Sequence, residues 1–515
     1  MKILNNIVTV FLLGAMLLVG CTKDFDETND NPNEPTLVPT PTLMLNAQKQ
    51  LMDDLRDEWA SGRVTLPMVQ YWTQVNYTEE DRYQFRSTVN NSFWKDMYVN
   101  LMDLKRVIEL NTDEATKDGM SAYGANANQI AAAIVLKTWG LLIMTDTYGP
   151  VPYYSYGSTD EDFQALQAES EDIIKPKYAS VEKIYKDMLS DLKLASDMID
   201  SSKPAFTEGD NIYNGDASKW KKFANSLRLR IAVRMRGVDA ATADANITDA
   251  IASGVFESND DNAVFAYEDN DTNGAPMYRA YFVSARVDFA VASPFVDLLK
   301  GIVGPVAAAD PRLPKFADTN DAGEYVGQPY GIPSKVAADI DVADVSLPSK
   351  DVILARDFKS VYMSYAEVEF LLSEYNGWDQ THYLNGVKAS LAQWGVDQAD
   401  ADTYVATLPA ADEENVITQK YISLYMQPYE AWSEYRRTGY PNTLKKPGDW
   451  VYNYTDKDGA SVDVTFTSLV AGLTDLPRRI NYPNEEQGVN LANYQEAVAS
   501  LGGSDDLSVR LWWNK

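Results

Sequence analysis

Histidine and cysteine, the usual carriers of nucleophilic and metal chemistry, are scarce in this sequence. The 515 residues include one histidine, His382, and one cysteine, Cys21. A Ser-His-Asp triad or a histidine-bound metal would have to be built on His382, whose neighbours on a helical face are ordinary. Paired carboxylates serve glycosidases. With 75 Asp and Glu residues, however, some pair always falls at a suitable separation, so acidic pairs decide nothing. There is no P-loop and no dinucleotide fingerprint. Enzyme activity has no positive support, and no cofactor is called for. One stretch has a metal-like pattern: Asp269-Asn270-Asp271-Thr272-Asn273-Gly274 reproduces the first half of an EF-hand loop, with Asp269, Asp271 and Asn273 as calcium ligands. The closing glutamate would fall at position 280, which is Ala280, and flanking helices are missing. An Asx-rich turn is the first reading and a calcium site the second.

Binding is better supplied than catalysis. The chain carries 31 Tyr and 11 Trp. Such rings fill the rim of a large core, or they form a flat surface on which sugars stack. Two irregular stretches combine rings with amide and guanidinium groups that suit hydroxyls. QYWTQVNYTEEDRYQF supplies Trp72, Asn76, Tyr77, Arg82 and Tyr83. NDTNGAPMYRAYF supplies Asn273, Tyr278, Arg279, Tyr281 and Phe282. Each ring alone reads as core; their clustering outside helical stripes makes some of them candidates for a platform.

Cys21 ends a segment with a positive charge at Lys2 and an apolar run over residues 7–19, the length of a signal-peptide core. That run is shorter than the roughly 20 apolar residues a spanning helix needs. The junction Leu18-Val19-Gly20-Cys21 resembles the lipobox of bacterial lipoproteins, where the peptide is cut before the cysteine and the thiol is lipidated. No second cysteine exists to pair with it. Acyl chains contributing about 0.8 kcal/mol per buried CH2 would then hold the protein on a membrane. The alternative is an ordinary signal peptide with an incidental cysteine. Asp24, Asp26 and Glu27 follow, where some surface-displayed lipoproteins carry an export signal. Residues 22–42 are rich in Asn, Asp, Pro and Thr and read as a flexible or polyproline-like tether. The expected organisation is a signal peptide at 1–20, lipidated Cys21 and tether over 21–42, and a body over 43–515.

Positioning elements can be read from the body. Hydrophobic residues make up 45% of the chain, enough for a large core. A net charge of −30 repels phosphate backbones and anionic lipid, which argues against nucleic-acid binding. Apolar residues recur at helical spacing in Trp94–Ile108, Val181–Ile199 after a Ser180 N-cap, Trp220–Ile231, Val361–Tyr375 and Tyr383–Trp394. A last long stripe runs from Ile417 past Pro428 to Tyr435 and stops at Gly439 and Pro441. Residues 130–144 are apolar almost all round; their short length and Lys137 argue for a helix buried in protein rather than lipid. Strands are few: 263–267, and a hairpin of 451–454 with 462–466 around Asp458-Gly459. Between about 268 and 352 the periodicity fails, and long irregular segments in a compact body are usually functional or mobile. Paired helices joined by short turns suggest a mainly α, solenoid-like core, although no strict repeat is visible.

Several motifs agree on one family. TDTYGPVPYYS (145–155), DASKWKKFANSLRLR (216–230), Asp310-Pro311-Arg312-Leu313, SYAEVEFLLSE (364–374), ITQKYISLYMQPYEAWSEYRRTGYP (417–441), PRRINYPNEE (477–486) and Trp512-Trp513 stand together with the lipobox. Nearly the whole chain thus resembles the SusD/RagB-like outer-membrane nutrient-binding lipoproteins. The resemblance implies a single body with a tetratricopeptide-like helical scaffold and inserted loops. It also implies an outer-membrane location facing the exterior, and a partner, a TonB-dependent (SusC-like) β-barrel transporter, on which the protein sits as a lid that captures a glycan. A peptide-binding lid is the alternative, and a glycosidase or purely structural lipoprotein a third. The middle loops depart from the starch-binding prototype. Motif residues read as architecture: Arg436 and Arg437 hold carboxylates or carbonyl ends, Trp220 and Trp432 pack in the core, and Trp512 and Trp513 dock the C-terminus.

Overall fold

The computed structural model describes residues 38–167 and 173–514. The signal segment, Cys21 and the tether up to residue 37 lie outside the described residues. The first helix opens at Thr40: Thr40–Thr42 form its first turn, and the Thr40 hydroxyl donates to Gln129 Oε1 at 2.5 Å.

The longer helices are α1 (Thr40–Arg56), α2 (Ser87–Thr112), α3 (Asn126–Tyr148), α4 (Val181–Met198), α5 (Ala217–Met235) and α6 (Ala240–Ser253), followed by α7 (Tyr365–Tyr375), α8 (Gln380–Gln393), α9 (Glu413–Ser423) and α10 (Pro428–Thr438). From α1 to α6 each helix packs on its successor within the six, as in a helical-repeat superhelix. α7 packs on α5, α8 and α9, and α10 closes back onto α3. This is the mainly α scaffold that the periodicity announces.

α3 is the hub because it is apolar on every side. Its Gly140 lets neighbouring helices close in: a Cβ there would meet Leu101 of α2 at 3.0 Å and Leu51 of α1 at 3.7 Å. Lys137 in the same helix is fully buried and donates to Asp191 of α4 at 2.5 Å and to the Tyr154 carbonyl at 3.0 Å. Helix ends follow their capping residues. Ser180 accepts from Lys183 N–H, Asp216 accepts from Ser218 N–H, and Gly439 ends α10 at φ +80°.

Two stripes resolve differently from the sequence reading. Val361 belongs to a strand, and α7 starts only after the Ser364 cap. The stripe over 417–435 is two helices, because Pro428 offers no N–H and serves instead as the first residue of α10. Among the described residues the strands form three two-stranded antiparallel ribbons. β1 (Trp72–Gln74) pairs β3 (Phe289–Val291), β2 (Ala263–Ala266) pairs β4 (Lys359–Met363), and β5 (Trp450–Thr455) pairs β6 (Ser461–Thr465).

Charged side chains lock the scaffold. Arg230 of α5 grips Glu367 of α7 with two bonds of 2.6 Å. Arg234, one turn on, bonds Asp146 of α3 at 2.5 Å and Glu430 of α10. Glu434 of α10 meets Lys420 of α9 at 2.9 Å and Arg437 at 2.7 Å, and Arg437 reaches Glu374 of α7 at 2.5 Å. Burial works to raise the Glu434 carboxyl, but Arg437, Lys420 and Arg234 outweigh it and hold it well below the usual range. Arg436 lies 3.6 Å over the Trp432 ring and donates to the Asp146 and Arg478 carbonyls at 2.6 and 2.9 Å. Trp432 and Trp220 are fully buried. Trp513 packs against Arg234 and Arg436, and Trp512 against Tyr185, so the C-terminus is docked. The irregular middle is anchored as well: buried Arg312 binds Asp310 at 2.6 Å, Ser390 of α8 at 2.8 Å and Gln419 of α9 at 2.6 Å.

Arg230→Met alone leaves Glu367 buried without its partner and lowers unfolding free energy by about 3–5 kcal/mol. Adding Glu367→Leu removes the stranded charge and recovers most of that loss. Urea denaturation of the single and double variants measures both, and a single-variant cost below about 1 kcal/mol would contradict the locking role.

Candidate functional site

The β1–β3 ribbon joins the two stretches singled out in the sequence. Gln74 lies opposite Phe289 in an antiparallel register, and Val75 N–H donates to the Asp288 carbonyl at 3.0 Å. Chain leaving β1 and chain entering β3 therefore emerge at one end of the ribbon. The loop 76–84 and the segment 279–288, which opens as a π-helical turn (Arg279–Val283), are neighbours there.

The rings expected to form a platform divide sharply. Trp72 is a core residue, 0% exposed; its Nε1 donates to the Tyr425 hydroxyl at 2.8 Å and its ring leans on Phe289. Tyr83 is buried against Phe466. Tyr281 is buried with its hydroxyl donating to the Phe289 carbonyl at 2.7 Å. Tyr278 is buried between Phe282 and Arg356. These four correct the sequence reading: every residue of both ribbon strands is buried, so Trp72 has no solvent face, and Tyr83, Tyr278 and Tyr281 pack inward as well. Arg82 donates to the Thr78 carbonyl, Arg279 to Asp53 at 3.3 Å, and Asn273 to Glu268 at 3.1 Å, so these polar groups staple loops. Asn76, Tyr77 (59% exposed, φ +57°) and Phe282 (43%) stay open to solvent, joined by Val283 and Val287.

Of the two readings of residues 269–274, the geometry is that of the first, the Asx turn. Asn270 Oδ1 accepts from the Thr272 and Asn273 N–H groups at 3.0 and 2.8 Å, an Asx turn. Asp271 accepts from Tyr278 and pairs with Arg356 at 3.2 Å, and Asp269 lies 3.7 Å from the same guanidinium. Cationic and hydroxyl donors occupy the carboxylates a metal would need.

A ring absent from the sequence reading completes the ribbon end. Trp59 is 39% exposed, and the Arg63 guanidinium lies 5.1 Å from its centroid. Arg63 in turn donates to Gln74 Oε1 at 3.1 Å and Asp288 Oδ2 at 2.8 Å, tying the indole to the end of the ribbon. Gln74 donates to Glu80 at 3.0 Å, and Glu80 binds Arg86 at 2.6 Å. The usable signal lay in Asp57-Glu58-Trp59-Ala60-Ser61. Asp57 Oδ1 accepts from the N–H groups of Trp59 and Ala60 at 3.1 and 2.7 Å, so α1 ends first and Trp59 leaves its apolar stripe.

Beside Trp59 runs a groove of about 540 Å³ lined by Asp54, Asp57, Arg86, Thr88, Ser92 and Asp96. Burial, reinforced by the nearby Asp96 charge, pushes the Asp54 carboxyl up to about 7, although Asn100 donates to it at 2.6 Å. Burial pushes Asp57 up to about 7 as well, against backbone N–H bonds that favour its ionised form. An indole face beside carboxyl, hydroxyl and guanidinium groups suits a ligand with apolar faces and many hydroxyls. His382, by contrast, spends Nδ1 on Glu369 of α7 at 2.7 Å and is part of helix packing.

A helical-repeat scaffold that presents polar-rimmed rings on loops defines a ligand-binding protein. The SusD-like family, described as starch-binding and associating with the outer membrane, matches residues 32–456. The Susd and RagB outer membrane lipoprotein family matches residues 410–514. The chain belongs to the SusD/RagB-like family, whose members are glycan-binding, outer-membrane-associated proteins. A solved chitin-binding protein is 26% identical, with 92% of this chain and 100% of that one covered at a TM-score of 0.73. A SusD homolog from Parabacteroides distasonis is 23% identical over 92% and 98% of the two chains, TM-score 0.74. A chitin-binding SusD homolog from Flavobacterium johnsoniae is 24% identical over 92% and 98%, TM-score 0.70. The last two establish the fold alone. No curated protein matches the sequence.

Trp72→Ala opens a cavity and costs about 3–5 kcal/mol of stability, whereas Tyr77→Ala stays within about 0.5 kcal/mol; chemical denaturation separates the two, and a cheap Trp72→Ala would restore it to the surface. The Asp54 pKa adds a pH signature. Its folded value of about 7 lies above the unfolded value of 3.8. Its favourable contribution is therefore complete below pH 3.8 and is lost as pH rises through about 7. Asp54→Asn should flatten the decline in melting temperature between acid and neutral pH, and an unchanged profile would contradict the burial of this carboxyl.

Proposed function

We propose that this chain is a surface lipoprotein that binds a neutral glycan at the ribbon end and hands it to a TonB-dependent β-barrel transporter. The observation that carries the glycan reading is Trp59, its ring fixed by Arg63 and opened beside the hydroxyl- and carboxyl-lined groove. The C–H face of a pyranose packs on an indole, and its hydroxyls exchange hydrogen bonds with Asp57, Asp96, Ser92 and Arg86. A net charge of −30 and an acidic groove select against acidic glycans. Phe282 and Tyr77 supply further exposed ring surface on the neighbouring loops. The Leu18-Val19-Gly20-Cys21 junction supports anchoring through Cys21, and the family's outer-membrane association supports delivery to a transporter. Chitin and starch oligosaccharides lead the ligand panel, because a similar solved protein is named chitin-binding and the family starch-binding.

Calorimetric titration of the full-length protein against chitin, starch and acidic oligosaccharides and against basic peptides tests the first half. A neutral glycan should bind, and Trp59→Ala should cost on the order of 2 kcal/mol, about thirtyfold in affinity, with little loss of melting temperature. Binding of the peptides alone would replace the glycan reading. The second half is tested in cells. Cys21→Ala should move the protein out of the membrane fraction, and tagged wild type should bring a β-barrel protein through detergent purification. Retention of the Ala variant in membranes, or repeated absence of the barrel, would overturn the corresponding claim.

A further inference from the structure

The β5–β6 hairpin carries an aromatic that neither the ribbon end nor the core accounts for. A register shift between Trp450 and Tyr452 divides the hairpin into two unlike faces. Past the shift, Tyr452 and Tyr454 pair with Val464 and Val462 and face inward, with Val464 buried. Trp450, Asn453 and Thr455 pair with Thr465, Asp463 and Ser461, and all six are exposed. Without the shift, Trp450 would share the inward face with Tyr452 and Tyr454, since side chains alternate along a strand.

On the outward face Trp450 is 56% exposed yet held in place. Its Nε1 donates to Asp463 Oδ1 at 2.9 Å, and Asn453 Nδ2 donates to the same oxygen at 2.9 Å and to the Ser461 hydroxyl at 2.9 Å. The indole N–H is thus already satisfied, while the ring face and the remaining carboxylate oxygen stay open. The hairpin is rooted beside the ribbon-end loop: Leu469 N–H donates to the Arg82 carbonyl at 2.9 Å, and Phe466 packs on Tyr83 and Tyr330.

We infer that the outward face of the β5–β6 hairpin is a second sugar-stacking surface, with Trp450 as the platform and Asn453 and Asp463 as hydroxyl partners, which engages a long neutral glycan already held at the ribbon end. The inference rests on the glycan reading above. A single ring surrounded by amide, carboxylate and hydroxyl groups suits one pyranose unit, which has an apolar face and a polar rim. A docked protein would need a contiguous apolar patch, and the register shift turns the other apolar residues of the hairpin away from this face. Two weak contacts on one polymer act through effective concentration, so the gain appears only with chains long enough to span both. Asp463 is a positioning residue: it fixes the ring by accepting from its N–H.

The test uses the full-length protein in detergent, with chitin and starch disaccharides and long oligosaccharides as probes. Trp450→Ala should lower affinity for the long chain by about tenfold or more and leave the disaccharide affinity and melting temperature unchanged. Asp463→Ala should lose part of the same affinity, and Asp463→Asn, which keeps an oxygen acceptor, should retain it. In protein labelled with 5-fluorotryptophan, the fluorine resonance that disappears in Trp450→Phe should shift when the long oligosaccharide is added. Equal long-chain affinity in wild type and Trp450→Ala would overturn the inference while leaving the proposed function intact. Loss of the co-purifying barrel with glycan affinity retained would overturn it in favour of a protein-docking face. A wild type that binds no glycan would overturn both readings together.

Discussion

Burying charge is the constraint on which the architecture depends. Arg230, Arg234, Glu367 and Glu434 are withdrawn from water, and each persists only because a partner on another helix compensates its lost hydration. Such contacts demand geometry that apolar packing does not. A leucine tolerates a small slide of its neighbour, whereas a two-bond guanidinium–carboxylate pair does not. Because the partners come from α3, α5, α7, α9 and α10, the ion pairs specify how the later helices α7, α9 and α10 seat on α3 and α5 and on one another.

That closure lets the proposed binding surface consist of loops. The segment between β2 and β4 has little regular structure, yet Arg312 clamps it to α8 and α9, and the β1–β3 ribbon delivers its tip beside Trp59. Polar groups near the ribbon end pair among themselves: Arg63 with Gln74 and Asp288, and Glu80 with Gln74 and Arg86. A surface organised in this way pays little ordering entropy on binding, which favours rigid recognition of a ligand whose own hydroxyls are costly to desolvate. The family's outer-membrane, glycan-binding character fits this division between a helical frame and the loops it carries.

The scaffold was legible because helices advertise themselves by period. The stripes over 94–108 and 181–199, the Ser180 cap and the Gly439 stop all sit where the residues placed them. Val361 misled because an apolar strand residue four positions before Tyr365 continues a helical spacing by coincidence; only the Ser364 cap marks the break. The site was harder to read. Trp72 lies among polar residues and looked exposed, but Gln74, Glu80 and Asp81 are themselves buried and bonded to one another's loop. Trp59 entered no sequence pattern, because only the Asp57 side chain, by accepting from the Trp59 and Ala60 N–H groups, marks where the chain leaves α1. Polar surroundings in sequence measure exposure only where the polar groups are solvated, and here many bond inward.

The central claim is that ligand is taken by the ribbon-end loops while the helical frame stays fixed. Hydrogen–deuterium exchange of the full-length protein, with and without a saturating neutral oligosaccharide, tests it most directly. New protection is expected over residues 57–63, 76–86 and 279–288, with α3, α5 and α10 unchanged. Protection absent from those loops, or a frame whose exchange changes on binding, would contradict it.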